Sequence, residues 1–224
     1  MQPYLIFGNQ VFWLGRDKNG LLGVVVASSK AISSEFTPGE GYQILSTAPM
    51  LQEINDYYDY STCFTWVYQR NGHTFVNFTF PNVTSTGLGK TWSYDLRSKG
   101  WNILESLEPT YIIPKRTRHK ANNHVYLNGK HLIGDHTTGN IYELVHNKWD
   151  ENGESIRRVI RSRHISVGGY RYRISNLRLD VKTGVGLDGN GPDTDPQVQL
   201  RISRDRGHTW DAPLFRYLGK ILVS

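Results

Sequence analysis

Apolar and polar positions alternate over short runs along most of this chain, and the runs are separated by turn residues. The densest part is His73–Trp101. His73 to Phe80 (HTFVNFTF) predicts a strand, Lys90 to Leu96 a second, and Trp101 opens a third, WNILE. Arg97-Ser98-Lys99-Gly100 between them reads as a turn with glycine in the permissive place. Upstream, Tyr4–Gly8, Val11–Gly15 and Gly23–Ser28 read as strands, with a turn at Asp17–Gly20. Ser29–Gly41 is polar and reads as a loop, and Gln43–Ala48 as a short outer strand. Pro49–Tyr60 is the one stretch with helical spacing, at Leu51, Ile54 and Tyr58. Thr62–Gln69 alternates up to Asn71-Gly72, the strongest short hairpin signal.

The same design continues. Glu105–Tyr111 reads as loop around Pro109, and Lys115, Arg116, Arg118 and Lys120 form a basic approach. His124–Leu127, Asn128-Gly129 and Lys130–Gly134 repeat the strand, turn, strand text, followed by Gly139–Val145 and Trp149. Asp150–Glu154 is a turn, Ile156–Ile165 an Arg-rich strand and Tyr172–Thr183 a long strand. Gly184–Pro196 is a loop rich in Gly, Asp and Pro. Gln197–Arg204 alternates, with Val198, Leu200 and Ile202 on one face.

One sub-pattern recurs. Tyr94, six residues and Trp101 (YDLRSKGW) return as Tyr142, six residues and Trp149 (YELVHNKW), 48 residues on. That spacing suits one propeller blade of about 40–50 residues. The four aromatic residues are the expected blade anchors, with each Trp closing the gap between neighbouring sheets. The fold class expected is therefore all-β: a propeller-like array of short antiparallel sheets with Kelch-like or Asp-box-like blades, complete or incomplete. Residues 1–224 are expected to form one β-propeller domain or the C-terminal part of one.

Composition agrees with many short strands: 6 Trp, 13 Tyr, 8 Phe and 22 Gly in 224 residues. Cys63 is the single cysteine, so neither an intrachain disulfide nor a cysteine zinc site is expected. The start, MQPYLIFGNQ, has no basic, signal-like region, and no apolar run reaches the length of a membrane span. A formal net charge of +6 permits an acidic partner or nucleic acid.

Few motifs carry chemistry. Ser203-Arg204-Asp205-Arg206-Gly207-His208-Thr209-Trp210 matches the Asp-box pattern Ser-x-Asp-x-Gly-x-Thr-Trp at every defined position. Asp205 is suited to accept backbone hydrogen bonds within the turn, Gly207 to take a conformation other residues avoid, and Trp210 to pack under a hairpin. Its expected role is structural. Gly87-Leu88-Gly89-Lys90-Thr91 is not a phosphate loop, because Thr84 stands where the first glycine belongs and a strand follows in place of a helix. The pairs His119/His124 and His131/His136 lack the helical spacing and third ligand of a zinc site. No catalytic set stands out, so no catalytic residue, metal or cofactor is expected. Arg157, Arg158, Arg161, Arg163, Arg171 and Arg173, interleaved with Tyr170 and Tyr172, are either a solvated sheet face or the contact for an acidic subunit or DNA phosphates.

Several strings, read in order, carry a family resemblance: VFWLGRDKNG (11–20), NGHTFVNFTFP (71–81), TWSYDLRSKGW (91–101), HVYLNGKHLIGDHTTGNIYEL (124–144), IRRVIRSRHIS (156–166) and VQLRISRDRGHTWDAPLFRYLGK (198–220). Together they resemble the packaged-DNA stabilisation proteins of short-tailed bacteriophages, the tail hub or nozzle below the portal. Members are usually about twice as long, and the likeness is to their C-terminal half. The chain is thus a natural short form, a fragment, or one whose ring another chain completes. The resemblance implies a structural virion protein of the phage tail, assembled in the host cytoplasm and not an enzyme. It implies a ring of identical copies, a hexamer by likeness, around a channel for double-stranded DNA. Contacts with the portal or adaptor and with tailspike, needle or plug proteins follow from it, without a membrane anchor. The alternative is a sialidase-like or other carbohydrate-active or carbohydrate-binding propeller, suggested by the Asp box.

Overall fold

A computed structural model describes residues 4–16, 18–28, 41–108, 115–145, 148, 150–166, 168–170, 173–181, 183 and 196–219. The chain is all-β, with several small antiparallel sheets and no closed barrel among the described residues. It divides into two compact units, Met1–Arg158 and Val159–Ser224.

In the first unit every strand pairs with its neighbour in sequence. β1 (Tyr4–Phe7), β2 (Gln10–Arg16), β3 (Leu22–Ser28) and β4 (Tyr42–Ile44) form a first sheet. β5 (Phe64–Arg70), β6 (His73–Phe80), β7 (Lys90–Asp95), β8 (Gly100–Glu108) and β9 (Lys115–Arg118) form a central one. β10 (Ala121–Leu127), β11 (Lys130–Asp135) and β12 (Ile141–Glu143) form a third, and β13 (Asp150–Glu151) with β14 (Glu154–Ser155) is a short hairpin.

Alternation along the strands decides how these sheets stack. Phe12, Leu14, Val24 and Val26 of the first sheet pack with Val76, Phe78 and Phe80 of the central one, and all seven are buried. The one helix among the described residues, α1 (Ala48–Asn55), joins this core through Met50 and Ile54, one turn apart. Pro49 sits in its first turn, where a missing N–H costs nothing. The other face of the central sheet is built differently. Asn77, Thr79, Thr91 and Ser93 are buried there, and Trp66 at the edge packs with Ala121 and Ile133 of the third sheet. One face of the central sheet is thus sealed by apolar contact, and the other carries small buried polar side chains, of which Thr79 and Thr91 bond to each other. The Oγ1 atoms of Thr79 and Thr91 lie 3.1 Å apart, and Trp66 Nε1 donates to Thr79 Oγ1 at 3.3 Å.

Both Asn-Gly pairs form two-residue turns with positive φ at each position: 50° and 75° at Asn71-Gly72, 49° and 78° at Asn128-Gly129. Asn152-Gly153 repeats the geometry between β13 and β14, at 56° and 87°.

Other expectations need correction. In the turn before Trp101 the left-handed residue is Lys99, at φ 55°, and Gly100 already pairs with Asp95 as the first residue of β8. Glu105 is not loop: β8 runs on to Glu108 because Lys115–Arg118 returns as a partner strand, in the register Ser106↔Thr117 and Leu107↔Arg116. The helix stops at Asn55, and Tyr58 is 72% exposed while Tyr57 takes the buried place. Ile156–Ile165 is not a strand. Residues 156–166 make no ladder and are exposed throughout, Ile160 at 97%. Arg and Ile occur on both alternating sets there, so neither face is apolar enough to bury. Residues 173–181 of the expected long strand are exposed and without a ladder too. Most of the Ser29–Gly41 and Gly184–Pro196 loops, with Asp17, Trp149, Arg171 and Tyr172, lie outside the described residues.

In the second unit β15 (Gln197–Leu200) pairs with β16 (Leu214–Tyr217), Leu200 opposite Leu214, and the Asp box lies in the loop between them.

Candidate functional site

The Asp-box loop is organised around one carboxylate. Asp205 Oδ1 accepts from the Thr209 backbone N–H at 2.8 Å, and Oδ2 from the Thr209 hydroxyl at 2.5 Å. Ser203 Oγ donates to Oδ1 at 2.8 Å and accepts from the Gly207 N–H at 2.7 Å. These donors hold the Asp205 carboxyl well below the usual carboxylate range. Arg206 and Gly207 take φ of 62° and 95°, as the tight loop requires. Trp210 is half-buried, and the guanidinium of Arg161 sits 5.1 Å from its ring centre. The Asp205 carboxylate and the Ser203 hydroxyl are thus engaged in hydrogen bonds within the loop, which hold its conformation.

The same device recurs at turns that the Asp-box pattern does not match. Asp59 accepts from Ser61 N at 2.8 Å and Thr62 Oγ1 at 3.1 Å. Asp135 accepts from Thr137 N and Thr138 Oγ1, both at 2.8 Å. Asp95 accepts from Arg97 N at 3.0 Å and from His73 Nδ1 at 2.7 Å. Hydrogen bonds lower all three carboxyls, Asp95 to about 2, against the burial that would raise them. The sequence signal was available: an Asp followed two or three positions on by Ser or Thr, as in DYST, DLRS and DHTT.

Of the expected blade anchors, Tyr94 and Trp101 face each other across β7 and β8, with ring centres 4.9 Å apart. Trp101 also donates from Nε1 to the Leu45 carbonyl at 2.9 Å, so it bridges the central sheet to the first. Tyr142 packs into the cluster between the central and third sheets, and its hydroxyl accepts from Asn140 Nδ2 at 3.2 Å. Its partner Trp149 lies outside the described residues.

The histidines weighed in the sequence as His119/His124 and His131/His136 are paired differently by the fold, because their partners come from separate strands. His124 Nε2 and His131 Nδ1 are 3.0 Å apart, with near-parallel rings whose centres are 5.2 Å apart. That is the head-on arrangement of one N–H donating to the other ring nitrogen, not of two lone pairs converging on a cation. His119 is stacked on Trp66, accepts from Ala121 N at Nδ1, and is driven down to about 4 by burial, with Lys120 and His136 adding to the effect. Its Nε2 lies 3.9 Å from Glu151, whose carboxyl burial pushes up. An open groove of about 640 Å³ runs beside this cluster, lined by Leu5, Phe64, Thr65, Trp66, Val67, Asn122, Asn123 and His124. It has no carboxylate or arginine in its lining. Among the described residues no three His, Cys, Asp or Glu side chains gather as a metal site.

Arg157, Arg158, Arg161, Arg163 and Arg173 are all exposed. Arg171 lies outside the described residues. Charge is segregated along the chain: Val159–Ser224 holds eleven Lys and Arg against six Asp and Glu, which is +5 of the formal +6. Among the described residues no helix is long and apolar enough to cross a membrane. No family model, curated protein or solved structure matches the chain.

Proposed function

We propose that this chain is a structural protein of a phage tail, part of a hub or nozzle below the portal, built of propeller-like blades. Copies form a ring around the channel, contact the portal or adaptor and other tail proteins, and help to keep packaged DNA from leaking before ejection. The carrying observation is the concentration of positive charge on exposed arginines of residues 156–166 and 173–181. Arginine on such a surface suits phosphates or acidic protein patches. The ordered string of motifs that resembles this family supports the same reading, as do three small sheets stacked in chain order, the way blades follow one another. The protein is proposed not to be an enzyme and to act in the virion after assembly in the host cytoplasm. Electron microscopy of the natural particle tests this: several copies should surround the tail channel, and a particle without them ends the proposal.

The Asp-box loop is the observation that favours the second reading, a sialidase-like or carbohydrate-binding propeller. Against it, a sialidase needs an arginine cluster for the substrate carboxylate, a Tyr/Glu nucleophile pair and an acid, and the lining of the groove beside Trp66 contains none of these residue types. Turnover of a fluorogenic sialoside by the purified protein would favour the second reading over the first.

A further inference from the structure

We infer that the outer edge of β5 is a docking site for an extended segment of another protein, uncharged and alternating apolar with polar residues, which adds to the central sheet as one more strand. The first strands of the three sheets, β1, β5 and β10, are each an edge strand, and all three border the groove beside Trp66. Phe64, Thr65, Trp66 and Val67, four residues in a row, line it. Side chains of a strand alternate between faces, so it is the edge of β5 that presents all four. The tight turn at Asn71-Gly72 makes Arg70↔His73 a hydrogen-bonded pair, and in steps of two Tyr68, Trp66 and Phe64 also bond to β6. The backbone N–H and C=O groups of Thr65, Val67 and Gln69 therefore point away from the sheet. His124 bonds the Val67 backbone at this edge. Among the described residues no backbone group pairs with Thr65 on that side. Thr65 is half-buried, a setting in which an unpaired backbone group is costly.

Natural sheets guard their open edges with charge, proline, a bulge or shortness. β9, KRTR, ends the far side of the central sheet with three cations in four residues. β4 and β12, the far edges of the other two sheets, have three residues each. β5, FTWVYQR, has none of these guards: it runs for seven residues with no proline, no register shift and no charge before Arg70. The guarded edges thus lie away from the groove, and the unguarded one borders it. What the edge of β5 fits is another polypeptide backbone, because only a strand offers N–H and C=O groups at the same repeat. The lining selects the side chains. The first sheet packs on one face of the central sheet and the third on the other. One alternate set of an added strand therefore meets Leu5 and Val67, and the other meets Asn122 and Asn123. Apolar residues suit the first set, hydroxyl or amide residues the second. No Lys, Arg, Asp or Glu lines the groove, which disfavours charged segments and the phosphates of nucleic acid. At ~3.4 Å per residue, Phe64–Val67 spans ~14 Å, the length of about four residues of an added strand. The site is complete in one copy of the chain and needs no ring.

An array of blocked hexapeptides, with Val, Leu or Phe alternating with Thr, Ser or Asn, tests the site against the labelled, purified chain. Each peptide has a twin that is N-methylated throughout and so has no amide donor. Unmethylated peptides should bind and their twins should not. Amide exchange at Thr65 and Val67 should slow roughly tenfold when the best peptide is bound. Thr65→Pro removes an outward N–H and no ladder bond, so it should weaken binding about tenfold, the effect of one hydrogen bond. Asn122→Arg, at an exposed position, places a long cation in the groove and should weaken binding too. Unchanged circular dichroism shows that a variant keeps the fold, and Asn122→Arg decides alone if Thr65→Pro does not keep it. Binding to no peptide, equal binding of the methylated twins, or wild-type affinity in a folded variant overturns the inference. Wild-type dimers that dissolve in Thr65→Pro would make a second copy the occupant and overturn it as well.

Discussion

The indole N–H of Trp101 reaches the carbonyl oxygen of Leu45 at 2.9 Å, from the central sheet to the segment that links β4 to the helix. Tyr94, Trp92 and Phe78 surround the same indole, with ring centres 4.9, 6.2 and 6.3 Å away. The residue therefore contributes both packing and a donor for that carbonyl. Because it is half-buried, Trp101→Ala should cost about 3 kcal/mol, the low end for a large aromatic deletion. Trp101→Phe should retain much of the packing and lose ~1 kcal/mol for the hydrogen bond. Urea midpoints measure both, and equal midpoints for wild type and Trp101→Ala would show that the indole joins nothing.

The hairpin glycines give a cleaner backbone test. At Gly129 a Cβ would meet no atom within 4 Å, so Gly129→Ala changes only the cost of φ 78°. The expected loss is roughly 1–2 kcal/mol, the price of a left-handed L-residue. Gly72→Ala, at φ 75°, should behave alike, since the atom it meets is the flexible end of Arg97 at 3.3 Å. Melting of the two variants beside Gly87→Ala and Gly139→Ala, also at positive φ and open, checks whether backbone alone accounts for the loss.

Local signals carried most of the first unit. Asn71-Gly72 and Asn128-Gly129 declared their turns because only a few residue types adopt two positive φ values in succession. The Asp box was legible for the same reason. What escaped was long-range. Lys115–Arg118 looked like a basic approach, and nothing local says that it pairs with Glu105–Glu108 across Pro109. Trp66 is far in sequence from His119 and His124 and meets them only because the third sheet packs on the central one. Ile156–Ile165 carries enough β-branched residues to suggest a strand, but composition cannot supply the partner that a ladder needs.

Acid should unfold the chain in two stages. His119 sits at about 4 in the folded protein against 6.5 in an ordinary one, because burial opposes its charge. Its folded value is depressed, so the neutral ring's contribution is complete above pH 6.5 and is lost as pH falls towards 4, amounting to roughly 3 kcal/mol over the full shift. The carboxyls of Asp59, Asp95, Asp135 and Asp205 are also depressed. Their contribution is present above ~3.9 and disappears below it, for Asp95 around pH 2. Glu151, raised by burial, acts the other way and gains stability as it takes up a proton. Chemical denaturation from pH 8 to 2 should show a decline between 6.5 and 4 that His119→Phe removes, followed by a steeper one that it does not. An unaltered profile in His119→Phe would mean that the ring titrates freely.

Asp205→Ala should act locally. Thr209 N–H, Thr209 hydroxyl and Ser203 hydroxyl all lose their acceptor, and the loop between β15 and β16 should open. Amide exchange at Thr209 and Gly207 is expected to rise at least tenfold, on the order of one lost hydrogen bond. Exchange in the β6 and β7 core of the first unit should not change. Asp205→Asn, which keeps an acceptor oxygen, should lie between.

The exposed arginines divide by what they touch, and the division separates a folding role from a binding one. Arg161 lies over the Trp210 ring, so Arg161→Ala should loosen the Asp-box loop whatever the protein binds. Arg157, Arg163 and Arg173 are exposed and available to a polyanion. If residues 156–173 contact DNA in the channel, replacing these three with Gln should lower affinity for a double-stranded oligonucleotide uniformly across sequences. It should also flatten the dependence of log affinity on log salt, by ~0.9 for each phosphate contact removed. Arg161→Gln should leave that slope nearly unchanged while lowering the melting temperature. The contrast matters because a positively charged protein loses some polyanion affinity with any charge removed. Only an unequal loss among residues of equal charge points to defined phosphate contacts. A triple variant with the wild-type salt slope would rule out DNA as the partner of this stretch and leave an acidic protein surface as its counterpart.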